Sequence, residues 1–136
     1  MRRIFLEDDG KHKRQSVESV SKESGNMKDA AKGIYADLES MMEFAEDGIV
    51  SKTLVKMGGR EVSLFCMSAG QSISTHKSSF PAIIHVLHGD GRVTLADKTY
   101  QAKPNAWFYM PAQLPHSIEA TDNIVFLLVL FKRAGN

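Results

Sequence analysis

From Ile49 to Lys132 the chain is cut into short apolar stretches by turn-forming residues, and that rhythm limits it to one class of fold. The stretches are Val50–Met57, Val62–Met67, Ser72–His76, Pro81–Leu87, Arg92–Ala96, Lys98–Ala102, Ala106–Met110, His116–Ala120 and Ile124–Lys132. Between them stand Gly58 and Gly59, Gly70, Gly89-Asp90-Gly91, Asp97, Pro104-Asn105, Pro111, Pro115 and Thr121-Asp122-Asn123. Many short strands at regular spacing, each bounded by such breakers, imply an all-β sandwich or barrel. The last stretch adds a condition. Ile124 to Phe131 is apolar without alternation, so both of its faces need cover. One face can look into a barrel, and the other requires a helix or a second subunit. A homodimer is therefore expected.

Ahead of the strands the pattern differs. Ala30, Ala31, Ile34, Tyr35, Leu38, Met41, Met42 and Ala45 are spaced as one face of a helix. Asp29 suits the N-cap and Gly48 the stop, which predicts an amphipathic helix over 29–48. Residues 1–28 are mostly Lys, Arg, Glu, Asp and Ser. Such a segment buries too little to offset its ordering entropy, and disorder is expected there. The barrel would occupy 49–133.

A chain of 136 residues has room for one domain with a proper core. Its formal net charge of +1 gives no overall field toward nucleic acid or a membrane surface, and neither partner is expected. The single cysteine, Cys66, lies in an apolar run and reads as a buried hydrophobe. No secretory-signal pattern opens the chain, and its longest apolar run is too short to span a bilayer. A cytoplasmic protein is the expectation. No phosphate-binding loop or dinucleotide fingerprint is present.

The stretch from Gly70 to Ala120 resembles the paired motifs of the cupin superfamily. Gly70, five residues and then His76 match the opening of the first motif, and Gly89 closes it at the expected distance. Pro111 and His116 match the second motif with the right spacing. The likeness extends from about Leu38 to about Lys132. It implies a single jelly-roll-like cupin barrel, here preceded by a short N-terminal helix.

The family's metal site uses three His and one Glu. The resemblance carries only His76 and His116 over as metal ligands. Ser78 stands where the second His of the first motif would be, and Ala82 where the Glu would be. Asn105, Gln113 and Ala120 replace the opening Gly, the inner Gly and the Asn of the second motif. Two neutral imidazoles without a carboxylate suit Mn or Fe(II) poorly and could hold Zn, Ni or Cu weakly.

Strand alternation sorts the remaining candidates. If His76 faces inward, Ser72 and Ser74 do too. His116 shares its face with Ile118, Ala82 shares its face with Ile84 and Val86, and Glu119 and His85 point away. His88, at a turn, could reach a barrel mouth. Some of Trp107, Phe108 and Tyr109 must pack inside. The candidate ligand-binding residues are His76, Ser78, His116, Ile84 and Ile118. The expected function is a small-molecule-binding or sensing module with little or no catalysis. The alternative is a metal-assisted enzyme, dioxygenase- or isomerase-like, using the two-histidine remnant.

Overall fold

The computed structural model describes residues 32–132 in full and, before them, the strands β1 (Arg2–Ile4) and β2 (Val17–Glu18). Nine more strands follow: β3 (Ile49–Met57), β4 (Arg60–Met67), β5 (Ser72–His76), β6 (Ala82–His88), β7 (Gly91–Leu95), β8 (Lys98–Ala102), β9 (Trp107–Met110), β10 (His116–Ala120) and β11 (Ile124–Phe131). All nine expected strands form. They make two antiparallel sheets, β2-β1-β3-β4-β11-β6-β9 and β5-β10-β7-β8, hereafter the large and small sheets. Turn chemistry sets the register. Gly58 and Gly59 both have positive φ, 62° and 77°, as a tight primed hairpin turn requires. Pairing therefore starts at once, with Met57 opposite Arg60.

The core lies between the sheets. Phe65 and Met67 of β4, Ile124 and Phe126 of β11, and Ala82, Ile84 and Val86 of β6 face Val93, Ile118 and Ala120 of the small sheet. Phe65 and Phe126 stack with centroids 5.1 Å apart. Burial of each large side chain contributes about 1.5–3 kcal/mol.

A second apolar cluster lies on the outer face of the large sheet, where Leu64, Cys66 and Val125 meet Met41, Met42, Leu87 and Leu127. The segment covering this face is not the expected helix. Residues 32–48 hold one 3-10 turn, Glu39–Met41, and no α-helix; residues 29–31 lie outside the described residues. The reason is where the backbone groups find partners. Gly33 takes a φ of 99°, which breaks a helical run. Ala45 C=O accepts from the Ser68 hydroxyl, and Gly48 C=O accepts from Ser68 N–H at 3.1 Å. Glu43 pairs with Lys52 at 3.0 Å. The segment is a strap whose polar groups are satisfied by the sheet beneath it rather than by its own turns. Cys66 sits under it, and burial pushes its thiol pKa up.

The strap covers only part of the face. Along β11 the outward residues pass from buried Val125 through half-buried Leu127 and Val129 to exposed Phe131. Nearby Trp107 and Tyr109 on β9 are 59% and 48% exposed. Of residues 1–28, expected to be disordered, two stretches form strands, with Arg2 and Arg3 opposite Ser51 and Val50. The rest of that expectation lies outside the described residues. Among the described residues no helix is long and apolar enough to cross a membrane.

Candidate functional site at the barrel mouth

The two motif histidines meet at one end of the barrel. His76 closes β5, His116 opens β10, and the two are cross-strand partners. Their rings are 4.3 Å apart at 61°. His116 is buried at 9% exposure, and His76 is exposed.

Each ring is oriented in the same way. His76 Nδ1 lies 2.9 Å from Ser74 C=O, and His116 Nδ1 lies 2.8 Å from Leu114 C=O. A carbonyl only accepts, so in each case Nδ1–H donates and the lone pair of the neutral ring is left on Nε2. Burial lowers the His116 pKa, the Leu114 carbonyl opposes that shift, and the neighbouring His76 adds a smaller push downward. His116 is therefore neutral at pH 7, with Nε2 free to receive a donor or a metal.

A bulge makes this pairing possible. Ile118 pairs with Ile73 and His116 with His76, so β5 spends one more residue than β10 between the two pairs. Ile73 packs on the core, while Ser72 lies opposite outward-facing Glu119. The expectation that Ser72 and Ser74 share the inward face with His76 is corrected by this shift of phase. Ser74 instead contributes the carbonyl that holds His76.

The other predicted site residues are spread more widely. Ser78 is in the 77–81 loop, where its hydroxyl accepts from Phe80 N–H at 3.1 Å and its carbonyl from Gln113 N–H at 2.7 Å. It ties that loop to the 111–115 loop. Ile84 and Ile118 are 5% and 4% exposed in the core beneath the histidines. His85 lies opposite Trp107 on β9, off the inward face of Ala82 and Ile84. Glu119 points outward and accepts from Arg92 Nε at 2.8 Å. His88 ends β6 and so stands at the end of the barrel away from the histidines, not at their mouth. Of the three consecutive aromatics, only Phe108 packs inside.

One carboxylate escapes the sequence reading. Phe65 and Met67 face the core while Leu64 and Cys66 face the strap, so alternation along β4 puts Ser63 and Glu61 on the inner face. Glu61 pairs with inward-facing Leu130, and its Oε1 is 2.8 Å from Lys132 Nζ. The 77–81 loop joins His76 to Ala82, and the 111–115 loop joins Met110 to His116. The row Lys56–Glu61–Leu130–Ala82–Met110 of the large sheet is thus at the same end as the row His76–His116–Leu95–Lys98 of the small sheet. A signal was available, because Glu61 lies two residues after the two-glycine turn and belongs to the ladder.

Glu61 does not stand in for the carboxylate missing at Ala82. The two positions are two strands apart, roughly 10 Å at the usual strand spacing. Among the described residues no three His, Cys, Asp or Glu side chains are grouped to hold a metal ion. The donor set available is the two Nε2 atoms. It does not fit Mn or Fe(II), and it fits Zn, Ni or Cu with solvent completing the shell.

A family model described as a cupin domain matches residues 63–131. Several solved structures share the fold. A conserved protein of unknown function from Streptococcus pyogenes is 28% identical, with a TM-score of 0.68 over 76% of this chain and 90% of its own. A cupin superfamily protein from Desulfitobacterium hafniense is 22% identical, with a TM-score of 0.67 over 74% and 92%. A cupin 2 conserved barrel domain protein from Leptotrichia buccalis is 32% identical, with a TM-score of 0.64 over 69% of this chain and 46% of that longer one. No curated protein matches the sequence. Backbone geometry agrees with the likeness. Asn105 and Gln113, at the two positions where the second motif has glycine, take positive φ of 74° and 69°.

Proposed function

The chain belongs to the cupin family, and on that premise we propose that it is a small-molecule-binding or sensing module with little or no catalysis. The observation that carries this reading is the pair of adjacent imidazoles at one end of the barrel. Both Nδ1 atoms are bound to backbone carbonyls, and among the described residues no carboxylate joins them in a group of three possible ligands. Two Nε2 lone pairs side by side receive a hydroxyl or N–H donor on a ligand. The apolar floor of Ile84, Ile118 and Leu130 takes its body. Ser78 acts by fixing the loop beside His76.

A second reading has its own support. A metal-ligating histidine characteristically donates its other ring N–H to a carbonyl or carboxylate, and both rings here do so. Zn, Ni or Cu held by the two Nε2 atoms would supply a Lewis acid to a dioxygenase- or isomerase-like reaction.

Metal stoichiometry by plasma mass spectrometry separates the two, measured beside a His76→Ala/His116→Ala double variant. Metal below a tenth of an equivalent in both, after incubation with Zn, Ni or Cu, supports the binding module. Near one equivalent in the wild type, lost in the variant, replaces it with the metal-assisted enzyme.

We also assign the uncovered outer strip of Phe131, Val129, Trp107 and Tyr109 to a homodimer contact in the cytoplasm. Light scattering that gives a clean monomer at micromolar concentration would remove that assignment.

A further inference from the structure

The small sheet has a second face, turned away from the core, and its composition is different. Val93, Ile118 and Ala120 point into the core, so alternation sends Arg92, Thr94, Ser117 and Glu119 outward. Register sets these residues in two neighbouring rows across the strands. One row is Ser72, Glu119, Arg92 and Gln101, and the next is Ser117, Thr94 and Thr99. The Thr94 and Thr99 hydroxyls are hydrogen-bonded at 2.9 Å. Apart from Arg92 and Glu119, every side chain in the two rows is a neutral hydrogen-bonding group.

This face is not flat. A cavity of about 300 Å³ is lined by Arg92, Thr94, Thr99, Ser117 and Glu119, a size at the lower end of small-ligand sites. A second cavity, of about 240 Å³, is lined by residues 72–75 of β5 with Ser117, Ile118 and Glu119. It lies over the bulge, which sets Ser74 and Thr75 of β5 against Ser117 alone. The two cavities share Ser117 and Glu119 and so form one trough.

The charges in the trough neutralise each other. Arg92 donates from Nε to Glu119 Oε1 at 2.8 Å, and from Nη2 to the same oxygen. Among the described residues this leaves Glu119 Oε2 as an acceptor and Arg92 Nη1 as a donor, beside hydroxyls that do either. A ligand's carboxylate would meet Glu119 and its ammonium would meet Arg92, so neither charge is favoured. Hydroxyls on neighbouring carbons fit, because one can donate to Oε2 while the next accepts from Nη1.

We infer that this trough is a second binding site, which takes a neutral polyhydroxylated ligand, a sugar or a short sugar chain. It stands apart from the histidine pair and from the function proposed for that pair.

The test follows the backbone amide resonances of Thr94, Ser117 and Glu119 in the 15N-labelled full chain, with the His76 and His116 imidazoles as the control. The probes are the methyl glycosides of glucose, mannose and galactose, maltotriose, gluconate, glucosamine and cyclohexanol. At least one neutral sugar is expected to give saturating shifts at the three amides, unchanged by added salt, while the imidazoles stay in place. Maltotriose binding more tightly than methyl glucoside assigns both cavities to a sugar chain; a methyl glycoside binding as tightly as maltotriose assigns a single sugar to one of them. Ser117→Ala should weaken the sugar about three- to tenfold, the loss of one hydrogen bond. Arg92→Ala/Glu119→Ala, at exposed positions, should abolish saturation while the remaining amide spectrum shows the barrel folded. If no neutral sugar shifts the three amides, or if gluconate, glucosamine or cyclohexanol binds there as tightly as the best sugar, the inference is overturned.

Discussion

The two ends of this barrel are built to different tolerances. At the end away from the histidines, backbones touch. A Cβ on Gly91 would stand 2.2 Å from Glu119 O, and one on Gly89 would stand 2.0 Å from Asn123 O. At the histidine end a Cβ on Gly58 would find nothing nearer than Arg60 Nη1 at 3.7 Å. The loops there meet through the Gln113-to-Ser78 hydrogen bond, and Lys77, Ser79, Pro111, Ala112 and Gln113 are exposed. One end fixes how the sheets are held together. The other leaves room to change side chains without changing the frame, which is where a family can vary its ligands.

The same methyl group placed at each end tests this difference most severely. Gly91→Ala should cost about 3 kcal/mol or more, or abolish soluble expression, because the clash is with backbone and cannot be relieved by a rotamer change. Gly58→Ala should cost only about 1 kcal/mol, the penalty for an L-residue at positive φ. Urea melts of the pair that gave equal losses would end the distinction.

Within the mouth, His116→Ala should cost about 1–2 kcal/mol, since it removes a buried ring and its hydrogen bond. His76→Ala, at an exposed position, should stay within about 0.5 kcal/mol. The same melts report both, and a His76 effect as large as that of His116 would make the mouth a structural element. A smaller gain is expected at Gln113, whose φ of 69° strains an L-residue. Gln113→Gly should stabilise by about 0.5–1 kcal/mol after the entropic cost of glycine is deducted.

The smallest effect is a pH slope. Burial holds the His116 pKa below 6.5 in the folded chain, so the folded state resists taking up that proton. The stability this provides is complete above the unfolded value and is lost as pH falls through the folded one. Melting midpoints of the wild type should decline from pH 7.5 to 5 more steeply than those of His116→Gln.

Much of the fold was legible because strand boundaries are local. Ser72–His76, Lys98–Ala102 and His116–Ala120 are bounded by glycine, proline or aspartate that leave the chain little choice. The strap was misread for a physical reason. Met41, Met42 and Ala45 carry helical spacing, yet what they cover is a flat sheet face, and Ser68 takes the backbone carbonyl of Ala45 that a helix would have used. The site was half legible. His76 and His116 announce themselves by type and spacing. Their tautomers depend on the Ser74 and Leu114 carbonyls, which only the folded backbone brings within reach. Ser72 was turned the wrong way because a bulge is invisible to a period-two count. Glu61 was missed because the expected strand began at Val62, whereas the ladder reaches back to Arg60.

The buried cysteine has a consequence for handling the protein. Cys66 lies beneath the strap, and burial pushes its thiol pKa up. A thiol reagent therefore reaches it only when the strap lifts, and the rate of labelling reports how often that segment opens while the barrel stays intact.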